Sequence, residues 1–417
     1  MSKRIAIIHS YPSNYLFDVL IKKGYKIVYF GPKSNVVELS KIESAVEIPI
    51  HDFEQSLEII HNYHKKRPID IILPIYEGAT ILTAKIAHAL SLKGTTVEAA
   101  EASRNKYLAY QKWSKQDVPV PKTVPILDEA TGWEAIQKYI GLPAVIKLTD
   151  SMNSQGVIKV DDHKSYSLAL KQLNTLLSRP LHYNSALDRN RIAYGKSKVS
   201  FMAQSFCKGV EVGVDLIITK GKTLVTGIYE KAASAGPYFI ETMSVSPTSL
   251  GKKVEHELAE IATQAVAAIG HKLGVAHVEI RYADDGPKVL EAGLRPGGAY
   301  TVMAIEYLMG INTYTALADI LSGGELPEPI SNGRAALYGG IVYHKSGYIK
   351  SVNGLEFLTG LSGLLDVIYL NKVGDYVVTA PEAAQPHFAY YLLQDSSREN
   401  VLQSHAYIQE KVKLNIA

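Results

Sequence analysis

Glu279 and Glu291 stand on either side of Asp284-Asp285-Gly286 in the stretch 275–300, VAHVEIRYADDGPKVLEAGLRPGGAY. Apolar residues alternate along 275–282, the Asp-Asp-Gly triplet is a turn signal, and 288–292 is extended again, which predicts a β-hairpin. A three-residue loop at 284–286, with Gly286 in its left-handed position, sets Ala283 opposite Pro287 and carries the register to Glu279 opposite Glu291. Carboxylates paired in this way lie about 5 Å apart at Cβ and repel each other. A divalent cation turns the repulsion into a site, because magnesium takes oxygen ligands and is commonly held by one or two carboxylates together with substrate phosphates. Arg295, where the strand gives way to Pro296-Gly297-Gly298, suits a transferring phosphoryl group beside such an ion. Taken alone, the same residues also describe a solvated surface hairpin with scattered charges.

A second signal lies upstream. Lys147 is the cation in the apolar run AVIKL at 144–148, and a buried lysine is costly without an anion, so it points to a phosphate. The polar loop that follows, DSMNSQGV at 150–157, contains Ser154 and Gly156. Such a loop folds backbone N–H groups and hydroxyls over phosphates, although Ser/Asn/Gly turns are common in hairpins generally.

The elements that position these residues begin with a βαβ unit: strand 4–9, helix 15–23 and strand 26–30. A third strand at 45–50, a helix at 53–66 and an apolar strand at 70–75 complete an open α/β domain ending near residue 100. Crevices in such sheets open at the carboxyl ends of strands, where Glu77 falls; its plainer role is a helix N-terminal charge. No glycine fingerprint follows Ile8, so a dinucleotide site is not supported. A helix at 103–116 ends in Val118-Pro119-Val120-Pro121, a rigid connector to a new domain. An amphipathic helix is expected at 165–177 and a long polar loop at 179–198. Antiparallel strands follow at 201–206, 210–219, 223–231 and 238–245, with Glu211, Asp215, Glu230 and Glu241 along them, and a helix at 255–273 leads into the hairpin.

Charges nearly cancel, 44 Lys and Arg against 41 Asp and Glu in 417 residues, so composition gives no reason to expect a nucleic-acid or anionic-membrane surface. A hydrophobic content of 47% supplies cores for about three domains. Cys207 is the only cysteine, which excludes an internal disulfide and a thiolate cluster and agrees with a reducing cytoplasm. No apolar run approaches the ~18 residues of a membrane span, and the N-terminal one is too short for a signal peptide, so a soluble cytoplasmic protein is expected.

Lys106 on a helix, Lys147 before a Ser/Gly loop, a strand-turn-strand with Gln204 and Glu211, then Glu279, Glu291 and Arg295 resemble the ATP-grasp superfamily in order and spacing over roughly residues 1–325. The resemblance implies an ATP-grasp fold with α/β and α+β parts. These are an N-terminal open α/β (pre-ATP-grasp) domain at 1–100, a small subdomain with phosphate loop and lid at 101–198, a large subdomain with the metal and substrate site at 199–325, and a C-terminal extension at 326–417 packed on the core. Strands in the extension are expected at 337–344, 364–370 and 375–379. The resemblance also implies ATP between two subdomains, Lys106 and Lys147 on its phosphates, Ser154 and Gly156 in the covering loop, and Gln204, Ser205 and Phe206 at the adenine. Glu211 would lie near the ribose, magnesium or manganese on Glu279 and Glu291, and Arg295 at the γ-phosphate. Gly293 stands where many members carry a further, asparagine ligand.

The run Glu291-Ala292-Gly293-Leu294-Arg295 before Pro296-Gly297-Gly298 is most similar to the bacterial L-amino acid ligases, which make dipeptides through an acyl phosphate. On that resemblance Glu241 binds the ammonium of the first amino acid and Gly298 and Ala299 border the second; Glu77, from its place at the strand end, is expected in the substrate site, and Asp375 either reaches into the cleft or is an ordinary turn aspartate. Ala299 would leave room for sizeable second residues. The expected partners are small molecules, ATP and amino acids, and a homodimer is compatible. Cys207 is expected to be a small buried hydrophobe, since no nucleophile motif surrounds it, and 179–198 to act as a lid. The alternatives are another ATP-grasp ligase or carboxylase for a small metabolite, and a non-catalytic ATP-binding module.

Overall fold

The computed structural model describes residues 2–10, 12–33, 38–178, 199–232, 236–380 and 386–417; the expected loop and lid at 179–198 lie outside them. Strands β1 (Arg4–Ile8), β2 (Lys26–Phe30), β3 (Ser44–Val46) and β4 (Ile71–Leu73) form a parallel sheet in the order β3-β2-β1-β4. Residues 5–8 are wholly buried, as a parallel sheet covered on both faces demands. Glu77 opens a short turn, Glu77–Ala79, just beyond the carboxyl end of β4.

The helix expected at 103–116 is two helices. Val97–Arg104 and Lys106–Lys115 meet at Asn105, whose side chain accepts the Leu108 N–H and starts the second. Ala99, Ala102, Ala109 and Trp113 share a core with Leu258 and Ala262 of helix Lys252–Ala268, and the Trp113 indole donates to the Ala265 carbonyl at 2.9 Å. These helices therefore pack on the large subdomain while bringing Arg104 and Lys106 to one end.

Strands β5 (Thr123–Ile126), β6 (Ala144–Leu148), β7 (Val157–Val160) and β8 (Phe201–Ser205) form an antiparallel sheet ordered β5-β8-β6-β7. The strand at 201–205 thus completes the small-subdomain sheet, and helix His163–Ser178 covers it with Tyr166, Leu170 and Leu173.

The rest of the chain supplies β9 (Gly209–Thr219), β10 (Lys222–Lys231), β11 (Met243–Ser246), β12 (Gly274–Ala283), β13 (Gly286–Gly293), β14 (Ala335–Val342), β15 (Gly347–Asn353), β16 (Leu364–Tyr369), β17 (Tyr376–Val377), β18 (His387–Asp395) and β19 (Lys413–Ile416). One sheet runs β13-β12-β9-β10-β11-β14-β18-β16, and β17-β15-β19 form a small one. The C-terminal segment therefore extends the large-subdomain sheet, with Val245 in one core with Leu337, Tyr391 and Val401. Of the strand expected at 238–245 only its end is strand; Tyr238 makes a single bridge to Ile158 of β7.

The β12–β13 hairpin reaches the expected pairing by a different route. Ala283 faces Gly286, not Pro287, so the turn is Asp284-Asp285 with Gly286 at φ +97°. The residue taken out of the loop reappears as a bulge at Leu290, and Glu279 and Glu291 stand opposite each other.

Candidate active site

A pocket lies between the four-stranded antiparallel sheet and the eight-stranded sheet, with Glu77 reaching it from beyond β4, and most of the predicted residues line it. Glu279 and Glu291 face it from the hairpin. Lys106 Nζ is 3.1 Å from Glu291 Oε1 and also donates to the Ser151 carbonyl. Lys147, buried on β6, is bonded to no carboxylate among the described residues. Burial, helped by the neighbouring Lys106 charge, pushes its pKa down to about 8. Burial raises the Glu291 carboxyl, with the charges of Glu77 and Glu279 acting in the same sense and Lys106 against them. Burial acts on Glu279 too, but Lys231 and His277 outweigh it and hold that carboxyl well below the usual range.

Arg295 reaches back to the N-terminal domain. Its Nε lies 3.0 Å from Glu77 Oε2, a second guanidinium nitrogen binds the same oxygen, and Arg104 binds Glu77 Oε1. Glu77, 5% exposed, is thus a buried carboxylate between two arginines. Burial would raise its pKa, but Arg295, Arg104 and Lys106 together bring it down to about 2. Its role as a helix N-terminal charge is secondary to this clamp.

Glu241 lines the same pocket. It accepts from the Tyr338 hydroxyl, from Ser244 Oγ at 2.9 Å, and from Lys231 Nζ at 3.2 Å. Lys231 also lies 2.6 Å from Glu279 and 3.5 Å from Glu211, so one buried ammonium joins three carboxylates. Glu211 is further bonded to Arg281, whose guanidinium sits over the rings of Phe206 and Phe239. Behind Glu279, His277 Nδ1 is 3.1 Å from Asp215 Oδ2, and Asp215 Oδ1 accepts the Gly297 N–H at 3.0 Å. Burial works against charge on His277, yet Asp215 and Glu279 raise its pKa to about 9. The Asp215 pair thus ties the strand of Glu279 to the glycine turn after Arg295.

Gln204, Ser205 and Phe206 form a wall of the pocket, as does Ser154. Gln204 Nε2 donates to Thr123 Oγ1 at 3.1 Å, leaving its buried Oε1 without a hydrogen bond. The Ser205 and Phe206 N–H groups are already taken by Lys122 and Pro143 carbonyls at 2.9 and 3.1 Å, so this wall offers a base its carbonyls and side chains. Gly298 and Ala299 also line the pocket, with Ala299 at φ +48°.

Three expectations are corrected. Gly156 does not line the pocket: a Cβ there would stand 2.7 Å from Leu148 Cδ1, so its bare α-carbon lets the loop close onto the small-subdomain core. Asp375 is likewise absent from the lining; its carboxylate accepts the Lys372 N–H at 2.9 Å in a turn beside Gly374, which has φ +96°. Cys207 is only partly buried and lines the pocket just past the end of β8 at Ser205. Burial raises its thiol pKa, which disfavours a nucleophilic thiolate. Sequence reasoning also passed over Lys231, Arg104, Arg281, His277, Tyr338 and Tyr390. Lys231 carried the same signal as Lys147, a lysine at the end of a strand-like run, whereas the tyrosines arrive from C-terminal strands that no local motif marked.

Comparison with known proteins agrees with this architecture. Residues 140–302 match the ATP-grasp domain family. Carnosine synthase 1 of Homo sapiens is 24% identical over 267 residues, 61% of this chain and 31% of that protein. Alanine–anticapsin ligase of Bacillus subtilis is 23% identical over 292 residues, 64% of this chain and 59% of that enzyme. The chain thus spans less than two thirds of the length of these relatives. The crystal structure of an L-amino acid ligase from Bacillus licheniformis superposes with a TM-score of 0.86 at 23% identity, covering 100% of this chain and 99% of that one. Among the described residues no helix is long and apolar enough to cross a membrane. Residues 140–302 thus carry an ATP-grasp domain match, and the chain as a whole has the ATP-grasp fold.

Proposed function

We propose that the chain is an ATP-dependent carboxylate–amine ligase that joins two L-amino acids into a dipeptide and releases ADP and phosphate. The observation that carries this reading is the single pocket in which Glu279 and Glu291 face each other with Lys106, Lys147 and Arg295 around them and Glu241 on an adjoining wall. Its chemistry is that of a phosphate-rich ligand beside an ammonium. The likeness to the L-amino acid ligase and to alanine–anticapsin ligase supports amino acids as the substrates.

The glutamate pair fits a hard cation, since both donors are oxygens. No cluster of three or more metal-ligating side chains occurs among the described residues, so phosphate oxygens would complete the shell. Magnesium held by Glu279 and Glu291 would neutralise charge on those phosphates. Lys106 and Lys147 would bind the phosphoryl oxygens, and Arg295, oriented by Glu77, would steady the group in transfer. Gln204, Ser205 and Phe206 would hold the adenine and Glu211 the ribose.

The carboxylate of the first amino acid, its ammonium on Glu241, attacks the γ-phosphorus; the bond to the bridging oxygen breaks, giving an acyl phosphate and ADP. The free amine of the second attacks the acyl carbon, phosphate leaves with the C–O electron pair, and the amine proton passes to the medium. No enzyme nucleophile is needed. Phosphate release from ATP and magnesium, measured across all pairs of the twenty amino acids, tests the reading: release that depends on amino acids supports it, and none with any pair overturns it.

A further inference from the structure

Thr301 and Tyr338 line the active pocket and also a second cavity of about 220 Å³. The strand register shows how the two spaces are related. Lys231 pairs with Ser244 and Ser244 with Tyr338, so the three form one cross-strand row, and all three bond Glu241. Residues two apart on a strand share a face. One step back along the same strands lie Tyr229, Ser246 and Ala336, which line the second cavity. The two spaces therefore lie end to end on one sheet face, and helix Thr301–Met309 roofs the second with Ala304, Ile305, Leu308 and Met309.

The chemistry of the second cavity is apolar. Most of its polar wall groups are already used: Ser246 Oγ donates to the Ile228 carbonyl at 2.9 Å, Thr226 Oγ1 to the Asp215 carbonyl at 3.3 Å, and Glu255 accepts from Thr248 Oγ1 at 2.8 Å, while Thr301 Oγ1 is buried without a hydrogen bond. An apolar cavity of about 150 Å³ suffices for a benzene-sized group, and this one is larger. It adjoins the active pocket at Tyr338, whose hydroxyl donates to the carboxylate proposed to bind the first amino acid's ammonium. We infer that this cavity receives the side chain of that amino acid, and that the enzyme selects large apolar first residues. The inference rests on the ligase reading above.

The test is steady-state phosphate release at saturating ATP and acceptor, with alanine, leucine, methionine, phenylalanine and aspartate as the varied first amino acid and product order read by mass spectrometry. Wild type is expected to favour the large apolar donors over alanine by about tenfold or more in kcat/KM, the scale of a few buried methylenes, and to reject aspartate. Ala304→Phe, at a half-buried helix position, should fill the cavity and abolish that preference by lowering kcat/KM for the large donors more than for alanine; Leu308→Ala should move the preference to larger donors. Circular dichroism shows whether each variant is folded, and Leu308→Ala decides the matter if Ala304→Phe does not fold. Wild type that ligates amino acids without an apolar preference, or variants that change all donors alike, overturns the cavity assignment alone. Absence of amino-acid-dependent turnover in wild type overturns the ligase reading and this inference with it.

Discussion

Glu77→Gln separates a clamp from a passive surface charge. Glu77 sits between Arg104 and Arg295, and those arginines, together with Lys106, bring its pKa from 4.5 to about 2 against the opposing effect of burial. A depression of that size in a buried group corresponds to about 3 kcal/mol of folding stability. The sign follows from the depression: the stabilisation is complete above the ordinary carboxyl value of 4.5 and is lost as pH falls through about 2. Glutamine keeps the shape but removes the counter-ion of the buried Arg104 and the part-buried Arg295, a loss on the order of 3 to 5 kcal/mol. Urea unfolding at pH 7 should show this gap between wild type and variant, and the gap should close as the pH is lowered from 4.5 towards 2. Turnover should fall roughly 100-fold as well, because Arg295 loses the group that orients it. A gap below about 1 kcal/mol at pH 7, or one that does not change with pH, would refute the clamp.

Glu291→Gln should leave the protein folded, since its carboxyl is already disfavoured by burial and by Glu77 and Glu279, and should lower turnover by about 100-fold or more; turnover near wild type would remove the hairpin from the metal site. The kcat/KM for ATP should fall as pH rises through about 8, where the Lys147 ammonium discharges. Lys147→Arg should flatten that alkaline limb and Lys147→Ala should weaken ATP binding at every pH; an unchanged profile in the arginine variant contradicts the assignment. Glu241→Ala should raise the KM of the first amino acid on the order of 100-fold, the scale of a broken buried ion pair, and far more than the KM of ATP; equal effects on both would leave Glu241 a structural partner of Lys231.

How much of this was legible depends on where each signal resides. Glu279 opposite Glu291 follows from a turn and a two-residue alternation, and it survived an error in loop length because a bulge at Leu290 compensated for it. Lys147 stood out as a charge in an apolar strand. The helix break at Asn105 was missed because 103–116 has helical spacing throughout, and only the Asn105 cap interrupts it. The Glu77–Arg295 and Lys231–Glu241 pairs join distant segments, and spacing along the chain carries no record of them. β18 (HFAYYLLQD) is so uniformly apolar that periodicity could not assign it; its Tyr390 therefore went unforeseen in the pocket. Asp375 misled because a turn aspartate and a cleft aspartate have the same sequence environment.

The central claim is carboxylate activation by phosphoryl transfer, and oxygen-18 in the carboxylate of the first amino acid tests it most directly. If an acyl phosphate forms and the second amine displaces phosphate, one labelled oxygen per turnover must appear in inorganic phosphate, in step with an unlabelled-amine dipeptide of the matching mass. Dipeptide formed with unlabelled phosphate, or labelled phosphate without any amide product, would contradict the account.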